Sequence, residues 1–275
     1  MDVLAPVADD VADPLSVAVS ERDRDVVAMV AEAVAAKQVQ LAYQPVVMAG
    51  ATGRLAFFEG LVRILDHTGR TIPAREFITE VESRELGRRI DCIALECGLR
   101  ALAENPTLRL SVNMSARSIG YPGWLKALDE GIGRDPDAAA RLIIEITESS
   151  VLAAPETVAA FMAELQMLGV CFAMDDFGAG YTSLRHLRDL DFDILKIDGT
   201  FVKGIHANPD NKALTRALLS VGQHFGMLTV AENVEAAADA AWLAESGTDC
   251  LQGYYFGAPS LRPDWSNPAN LGATA

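Results

Sequence analysis

The chain has 275 residues, half of them apolar, which is enough material for one large domain with a sizeable core. Its formal net charge of −15 repels nucleic-acid backbones and acidic membrane surfaces, which argues against a protein that binds DNA, RNA or membranes. We find neither the roughly 18 unbroken apolar residues of a membrane span nor a basic-then-apolar signal segment, so we expect a soluble cytoplasmic protein.

The predicted elements begin after an Asp- and Ala-rich segment, residues 1–20, which lacks periodicity and is predicted to be flexible. Apolar residues at helical spacing predict a first helix over Asp23–Lys37. Eight short apolar runs typical of β-strands follow it in the chain. These runs are Leu41–Val47, Ala56–Val62, Leu108–Val112, Leu142–Ile146, Val170–Met174, Asp193–Ile197, Leu228–Ala231 and Asp249–Gly253.

Helical stretches lie between several of these runs. The pattern predicts one or two helices in Leu86–Ala103, and three further helices that are each followed by a glycine. These three are Pro155–Leu168, Asn211–Phe225 and Ala236–Ser246. The residues after Pro259 are rich in Pro, Asn, Gly and Ala, and we predict a flexible tail over residues 263–275.

Strands that alternate with helices predict a parallel α/β fold. An open, doubly wound sheet is compatible with this order. Eight strands within about 220 residues favour closure into a (β/α)8 barrel instead. We therefore predict one barrel domain over residues 21–262.

Polar side chains close most of the predicted strands, and in a parallel barrel the active site lies at the C-terminal ends of the strands. The residues in such positions are Gln44, Glu59, Arg63, Asn113, Glu145, Glu148, Asp175, Asp176, Lys196, Asp198, Glu232 and Gln252. Any one of them is explained about as well by a polar strand end or a turn cap. Because buried unpaired charge costs several kcal/mol per group, the set as a whole predicts a functional site.

The chemistry of this set points to hard divalent cations. Converging carboxylates raise one another's pKa unless a cation lies among them. Carboxylate and amide oxygens suit Mg²⁺ or Mn²⁺, and the four cysteines and four histidines show no zinc-type spacing. The adjacent Asp175 and Asp176 would let one carboxylate bridge two ions, as in hydrolysis of phosphodiesters by in-line displacement.

A Gly-rich segment, residues 177–184, follows the paired aspartates. It lacks the spacing of a P-loop or of a dinucleotide fingerprint, although a phosphate cradle is one interpretation. We interpret it as a mobile active-site loop; a plain β-to-α turn explains the glycines about as well.

Eight ordered motifs resemble the signature series of the EAL-domain family, from about residue 38 to about residue 260. They are Tyr43-Gln44-Pro45, Glu59-Gly60-Leu61-Val62-Arg63, Val112-Asn113-Met114-Ser115, Glu145-Ile146-Thr147-Glu148, Asp175-Asp176-Phe177-Gly178, Leu195-Lys196-Ile197-Asp198, Ala231-Glu232-Asn233-Val234-Glu235 and Gln252-Gly253-Tyr254. The resemblance implies a TIM-like barrel whose first strand runs antiparallel. It also implies a phosphodiesterase that hydrolyses cyclic-di-GMP to linear pGpG with two Mg²⁺ or Mn²⁺ ions and is inhibited by Ca²⁺.

The resemblance also assigns roles to individual residues. The implied metal ligands are Glu59, Asn113, Glu145, Asp175, Asp176 and Glu232. Glu232 matches the proposed general base, and Lys196 matches the lysine that holds the attacking water. The implied substrate contacts are Gln44, Leu61, Arg63, Glu235 and Gln252. Glu148 matches the glutamate that tethers the loop after the aspartates, and family members lead us to expect a homodimer. We also expect a regulatory protein partner.

Three positions depart from the family pattern. Gly60 stands where the family has its signature Ala, Ile64 stands where it has a Trp, and Asn233 stands where it has a Gly. None of these changes removes an implied ligand, so we predict an active enzyme. A receptor that binds cyclic-di-GMP without cleaving it is the main alternative, and a protein-interaction scaffold is a third hypothesis.

Overall fold

The structure is a computed structural model, and it describes residues 14–50, 53–179, 187–263 and Trp265. The strands are β1 (Val39–Met48), β2 (Leu55–Leu65), β3 (Thr71–Pro73), β4 (Leu110–Asn113), β5 (Leu142–Thr147), β6 (Cys171–Phe177), β7 (Ile194–Ile197), β8 (Leu228–Ala231) and β9 (Cys250–Gln252). The helices are α1 (Pro14–Ala35), α2 (Ile78–Val81), α3 (Glu85–Glu104), α4 (Pro122–Arg134), α5 (Glu148–Ala153), α6 (Pro155–Gln166), α7 (Gly199–Val202), α8 (Pro209–His224) and α9 (Ala237–Glu245).

Eight strands close into a barrel in the order β1-β9-β8-β7-β6-β5-β4-β2, and β2 pairs back onto β1. The first strand is antiparallel to both of its neighbours, with Gln44 opposite Glu59 and Val46 opposite Gln252. The other neighbouring strands of the ring are parallel. The predicted barrel with an antiparallel first strand is therefore confirmed, and each of the eight predicted runs contributes a strand.

The strand β3 was not predicted, because three residues are too short to show a period-2 pattern. It extends β2 as a hairpin outside the ring, with Arg63 opposite Pro73. This hairpin lies beyond the last pairing of β2 with β4, at Gly60. It therefore adds a short wall at the C-terminal end of the barrel.

The barrel interior contains an apolar layer with one side chain from each of seven strands: Val46, Phe57, Ile143, Ala173, Ile194, Val230 and Cys250. Because successive side chains of a strand alternate between its two faces, residues two positions further along point inward again. In β5 and β7 these residues are Glu145 and Lys196, and Glu232 takes the corresponding position directly after β8. The apolar layer thus forms the floor on which the polar side chains stand.

The helices cover the outside of the barrel. The large cluster between helices and sheet includes Leu95 and Leu102 of α3 and Trp124 of α4, whose indole packs edge-on against Phe161 of α6 at 5.4 Å. The one or two helices predicted over Leu86–Ala103 form one helix, α3. Within the described ranges, no helix is long and apolar enough to cross a membrane.

The structure describes parts of both terminal segments. Helix α1 begins at Pro14, so residues 14–20 are helical, while residues 1–13 lie outside the described ranges. In the predicted tail, Trp265 packs edge-on against Tyr43 and Phe58, with ring centroids 4.9 and 5.1 Å apart. This packing lets one aromatic residue of the tail cover the outer face of β1 and β2. The residues after Trp265 lie outside the description.

Candidate active site

A lysine lies at the centre of the polar layer. The Nζ atom of Lys196 is 2.7 Å from Glu145 Oε2, 2.8 Å from both Asp175 Oδ1 and Glu232 Oε1, and 3.6 Å from Glu59 Oε2. The lysine side chain is fully buried. Five side chains from five different strands or strand ends therefore converge on one point.

Amide groups fix the orientation of Glu59. Asn113 Nδ2 donates to Glu59 Oε1 at 2.9 Å, and Gln252 Nε2 donates to Glu59 Oε2 at 2.5 Å. The same Gln252 nitrogen lies 3.3 Å from Gln44 Oε1, and Gln44 Nε2 donates to the carbonyl of Gly257 at 3.1 Å. The amides thus hold a carboxylate with both oxygens engaged, and they link it to the loop after β9.

The carboxylates of this layer compete for one ammonium group. Burial raises the pKa of Glu145 well above its usual value, and the charges of Glu59 and Asp175 raise it further. Burial likewise raises the pKa of Glu232 to about 8, against the opposing effect of Lys196. Burial also disfavours ionisation of Glu59, but Lys196 and the amide donors outweigh it and lower the pKa of that group. The cluster carries more negative charge than one lysine neutralises, so it favours further cations.

Three carboxylates in particular offer a cation site. One ligand atom each from Asp175, Asp176 and Glu232 lies within 4.8 Å of the others. The buried Oε1 atom of Glu145 and the Oε1 atom of Gln252 accept no hydrogen bond within the described part of the chain. Buried oxygens without partners, in a set that contains no nitrogen or sulfur ligand, fit the hard cations Mg²⁺ and Mn²⁺.

An irregularity in β6 brings the paired aspartates together. In a regular strand, Asp175 and Asp176 would face opposite sides of the sheet. Here the pairing with β7 shifts between Met174 and Phe177, and Asp176 adopts the left-handed conformation with φ 55°. A bulge of this kind re-aims a side chain, and both carboxylates therefore join the same group. Burial, followed by the charge of Asp175, raises the pKa of Asp176 to about 6.

The loop after the aspartates begins at a fixed point. The backbone N–H of Gly178 donates to Glu148 Oε2 at 3.1 Å, and Gly178 has a φ of 98° that favours glycine. Glu148 therefore contacts the backbone at the start of this loop. Residues 180–184, which are most of the segment predicted to be a mobile loop, lie outside the described residues.

A cavity of about 240 Å³ opens above the polar layer. Six predicted site residues line it: Gln44, Glu59, Leu61, Arg63, Glu232 and Gln252. The prediction missed the other lining residues, which are Pro73, Ala74, Arg75, Asn233, Gly253, Tyr254 and Pro259. A second cavity of about 460 Å³ lies between α8 and α9 and contains no member of the polar layer, so we assign the site to the barrel mouth.

Asp198 and Glu235 lie apart from the cluster. Asp198 accepts a hydrogen bond from the N–H of Thr200 at 2.9 Å and caps α7, a structural role. Glu235, predicted to contact substrate, lies outside the cavity, and its carboxylate is 3.1 Å from Lys203 Nζ. The preceding Val234 is fully buried and hydrogen-bonds to Gln252, which turns Glu235 outward.

Known proteins resemble this chain over most of its length. The EAL domain family model matches residues 27–259. A cyclic di-GMP phosphodiesterase named PdeB from Shewanella oneidensis is 32% identical over 84% of the chain. One named NbdA from Pseudomonas aeruginosa is 31% identical over 81% of the chain. The chain covers 27% of the length of PdeB and 29% of the length of NbdA.

Solved structures agree with this match. The PaMucR phosphodiesterase in complex with c-di-GMP superposes with a TM-score of 0.78 at 26% identity, covering 86% of this chain and 97% of that one. The FimX EAL domain from Pseudomonas aeruginosa bound to c-di-GMP gives the same TM-score and identity, covering 88% of this chain and 99% of that one. With the family model, the closed barrel and the converging carboxylates in agreement, the chain belongs to the EAL domain family.

Proposed function

We propose that the chain is a phosphodiesterase that hydrolyses cyclic-di-GMP to linear pGpG with two divalent metal ions, Mg²⁺ or Mn²⁺. The observation that carries the proposal is the convergence of Glu59, Glu145, Asp175 and Glu232 on one buried point below an open cavity. The names of PdeB and NbdA support the reaction, and the c-di-GMP complexes of PaMucR and FimX support the ligand.

The residues divide into two ligand groups. Glu59, Asn113, Glu145 and Asp175 would hold the first ion, and Asp175, Asp176 and Glu232 would hold the second. Bound divalent ions supply Lewis acidity to a phosphate oxygen and lower the pKa of water. The apolar floor beneath the polar layer excludes bulk water from below, which strengthens each electrostatic contact above it.

The other residues position the reacting groups. Glu232 is the proposed general base, and Lys196, 2.8 Å from it, favours its ionised form and would stabilise negative charge on the attacking oxygen. Gln252 and Asn113 hold Glu59 in place through their amide donors. Gln44, Leu61 and Arg63 line the cavity and would contact the nucleotide. Glu148 would anchor the start of the loop after the aspartates through Gly178.

Incubation of the purified chain with cyclic-di-GMP and Mn²⁺, followed by chromatographic separation of the products, tests this proposal. We expect pGpG from the wild type, none above background from Glu59→Ala, and wild-type turnover from Glu164→Gln, which changes an exposed glutamate on the outside of α6. Tight binding without pGpG would favour the receptor hypothesis. Neither binding nor turnover would favour the scaffold hypothesis.

The same preparation tests the remaining family expectations. We infer inhibition by Ca²⁺. This ion is larger than Mg²⁺ and takes a looser coordination geometry, so it would occupy the site without the tight octahedral arrangement of ligands that Mg²⁺ imposes. We also infer a homodimer and regulation by a protein partner. Addition of Ca²⁺ to the Mn²⁺ assay and measurement of mass by sedimentation check the first two inferences, and unchanged turnover or a monomeric mass would refute them.

A further inference from the structure

The rim of the cavity presents two arginines from one hairpin. Arg63 lies near the end of β2, opposite Pro73 of β3. Arg75 lies two residues after Pro73, just beyond β3. Both side chains line the same cavity as Glu59 and Gln252. The short strand β3, which the sequence pattern did not reveal, therefore places Arg75 beside a residue already assigned to the nucleotide site.

Within the described ranges, no carboxylate lies within ion-pair distance of the guanidinium group of Arg63 or of Arg75. Arg63 Nη1 donates to the carbonyl of Val62 at 2.9 Å. Burial lowers the pKa of Arg63, and the positive charge of Arg75 lowers it further.

Such a pair is unexpected on a chain with a net charge of −15. Two arginines that line one cavity and form no ion pair there attract an anion into it. The cavity therefore has a carboxylate floor, which suits cations, and an arginine rim, which suits an anion. A cyclic dinucleotide carries two phosphates, and in the proposed reaction one of them would react over the carboxylates, which leaves the other for a second contact.

We propose that Arg75 is a substrate-binding residue that joins Arg63 in holding the phosphate of cyclic-di-GMP that is not being cleaved. The inference rests on the proposed function and extends its site by one residue. A planar guanidinium donates two parallel hydrogen bonds to a phosphate, and two such groups can share its oxygens. Because this phosphate keeps its charge during the reaction, Arg75 binds substrate and transition state equally.

Steady-state kinetics of Arg75→Gln with Mn²⁺ tests the assignment. We expect KM to rise about five- to tenfold with kcat within about twofold of wild type, which is the pattern of lost uniform binding. Arg75→Lys keeps the charge and should recover part of the affinity. The matched control is Arg54→Gln, since Arg54 is exposed and precedes β2 at the opposite end of the barrel.

The outcomes separate this inference from the proposed function. A KM for Arg75→Gln within twofold of the wild-type value, with wild-type turnover intact, overturns the role of Arg75 alone. Equal losses in Arg54→Gln and Arg75→Gln also overturn it, because a general charge effect then suffices. If the wild type binds cyclic-di-GMP without cleaving it, the proposed function fails, and calorimetric dissociation constants for the same variants decide the role of Arg75. If the wild type does not bind at all, both fail.

Discussion

The ammonium group of Lys196 lies 2.7 Å from Glu145 Oε2, and both side chains are almost completely buried. The two residues stand on β7 and β5, with β6 between them. A buried ion pair stabilises little by itself, but loss of one partner leaves the other charged and desolvated. Lys196 faces three further carboxylates, so its removal affects the whole layer.

The variant Lys196→Met should therefore lower the free energy of unfolding by about 3–5 kcal/mol in EDTA, because it removes the cation on which four carboxylates converge. Saturating Mn²⁺ should reduce this loss, since bound cations then supply the missing charge. Urea unfolding in the two buffers measures the effect. Lys203→Met is the matched control: it breaks the exposed pair with Glu235 and should cost less than about 1 kcal/mol. Equal losses in both variants would refute the argument.

Glu59 should be essential for metal binding as well as for turnover. Glu59→Gln places an NH₂ group against the donors of Asn113 or Gln252, so one buried hydrogen bond is lost at a cost of about 1–3 kcal/mol. Calorimetric titration with Mn²⁺ should show at least about tenfold weaker binding, since a hard ligand charge is gone. An unchanged Mn²⁺ affinity would show that Glu59 orients the amides without holding the ion.

Asp91 should make stability depend on pH away from the active site. Its buried carboxylate accepts hydrogen bonds from the Ser118 hydroxyl at 2.6 Å and the Ser115 N–H at 3.1 Å, yet burial raises its pKa from 3.8 to about 7. The folded state therefore binds an extra proton between about pH 4 and pH 7. Stability is greatest below this window and falls as the pH rises through it.

The variant Asp91→Asn tests this effect, because it keeps an acceptor but does not titrate. From pH 4 to pH 7 the unfolding free energy of the wild type should fall relative to that of the variant by about 2–4 kcal/mol. The slope should be roughly 1.4 kcal/mol per pH unit. Measurement in EDTA at several pH values within that range checks it. A constant difference would mean that Asp91 remains ionised throughout.

Gly60, at the position where the family has Ala, should accept a methyl group with little loss. An added Cβ would lie 3.0 Å from Leu41 Cδ1 and 3.2 Å from the carbonyl oxygen of Ser111. The leucine can move, and Ala reduces unfolded-state entropy, so Gly60→Ala should change stability by less than about 1 kcal/mol. The contrast is Gly131→Ala on α4, where Cβ would lie 2.4 Å from Leu99 Cδ1 and should cost about 1–3 kcal/mol. Equal thermal melts for both variants would refute this reading.

Much of the site followed from local pattern alone. Glu145, Lys196 and Glu232 close apolar strands, and in a parallel barrel such residues meet at the same end. Period-2 alternation then places each of them above an inward apolar residue, such as Ile143 below Glu145. The choice of barrel over open sheet needed strand number and chain length as well, and the pairing of β1 with both β2 and β9 bears it out.

A local sequence pattern could not predict the features that depend on pairing between distant segments. The direction of Asp176 depends on a bulge against β7, and that of Glu235 on the bond between Val234 and Gln252. Arg75 reaches the cavity because three residues of β3 pair with β2. The sequence alone determined which side chains alternate inward along each strand, because that period is a property of the local backbone. Only the tertiary structure decided where the chain leaves that period, because bulges and short hairpins are stabilised by contacts with segments far away in sequence.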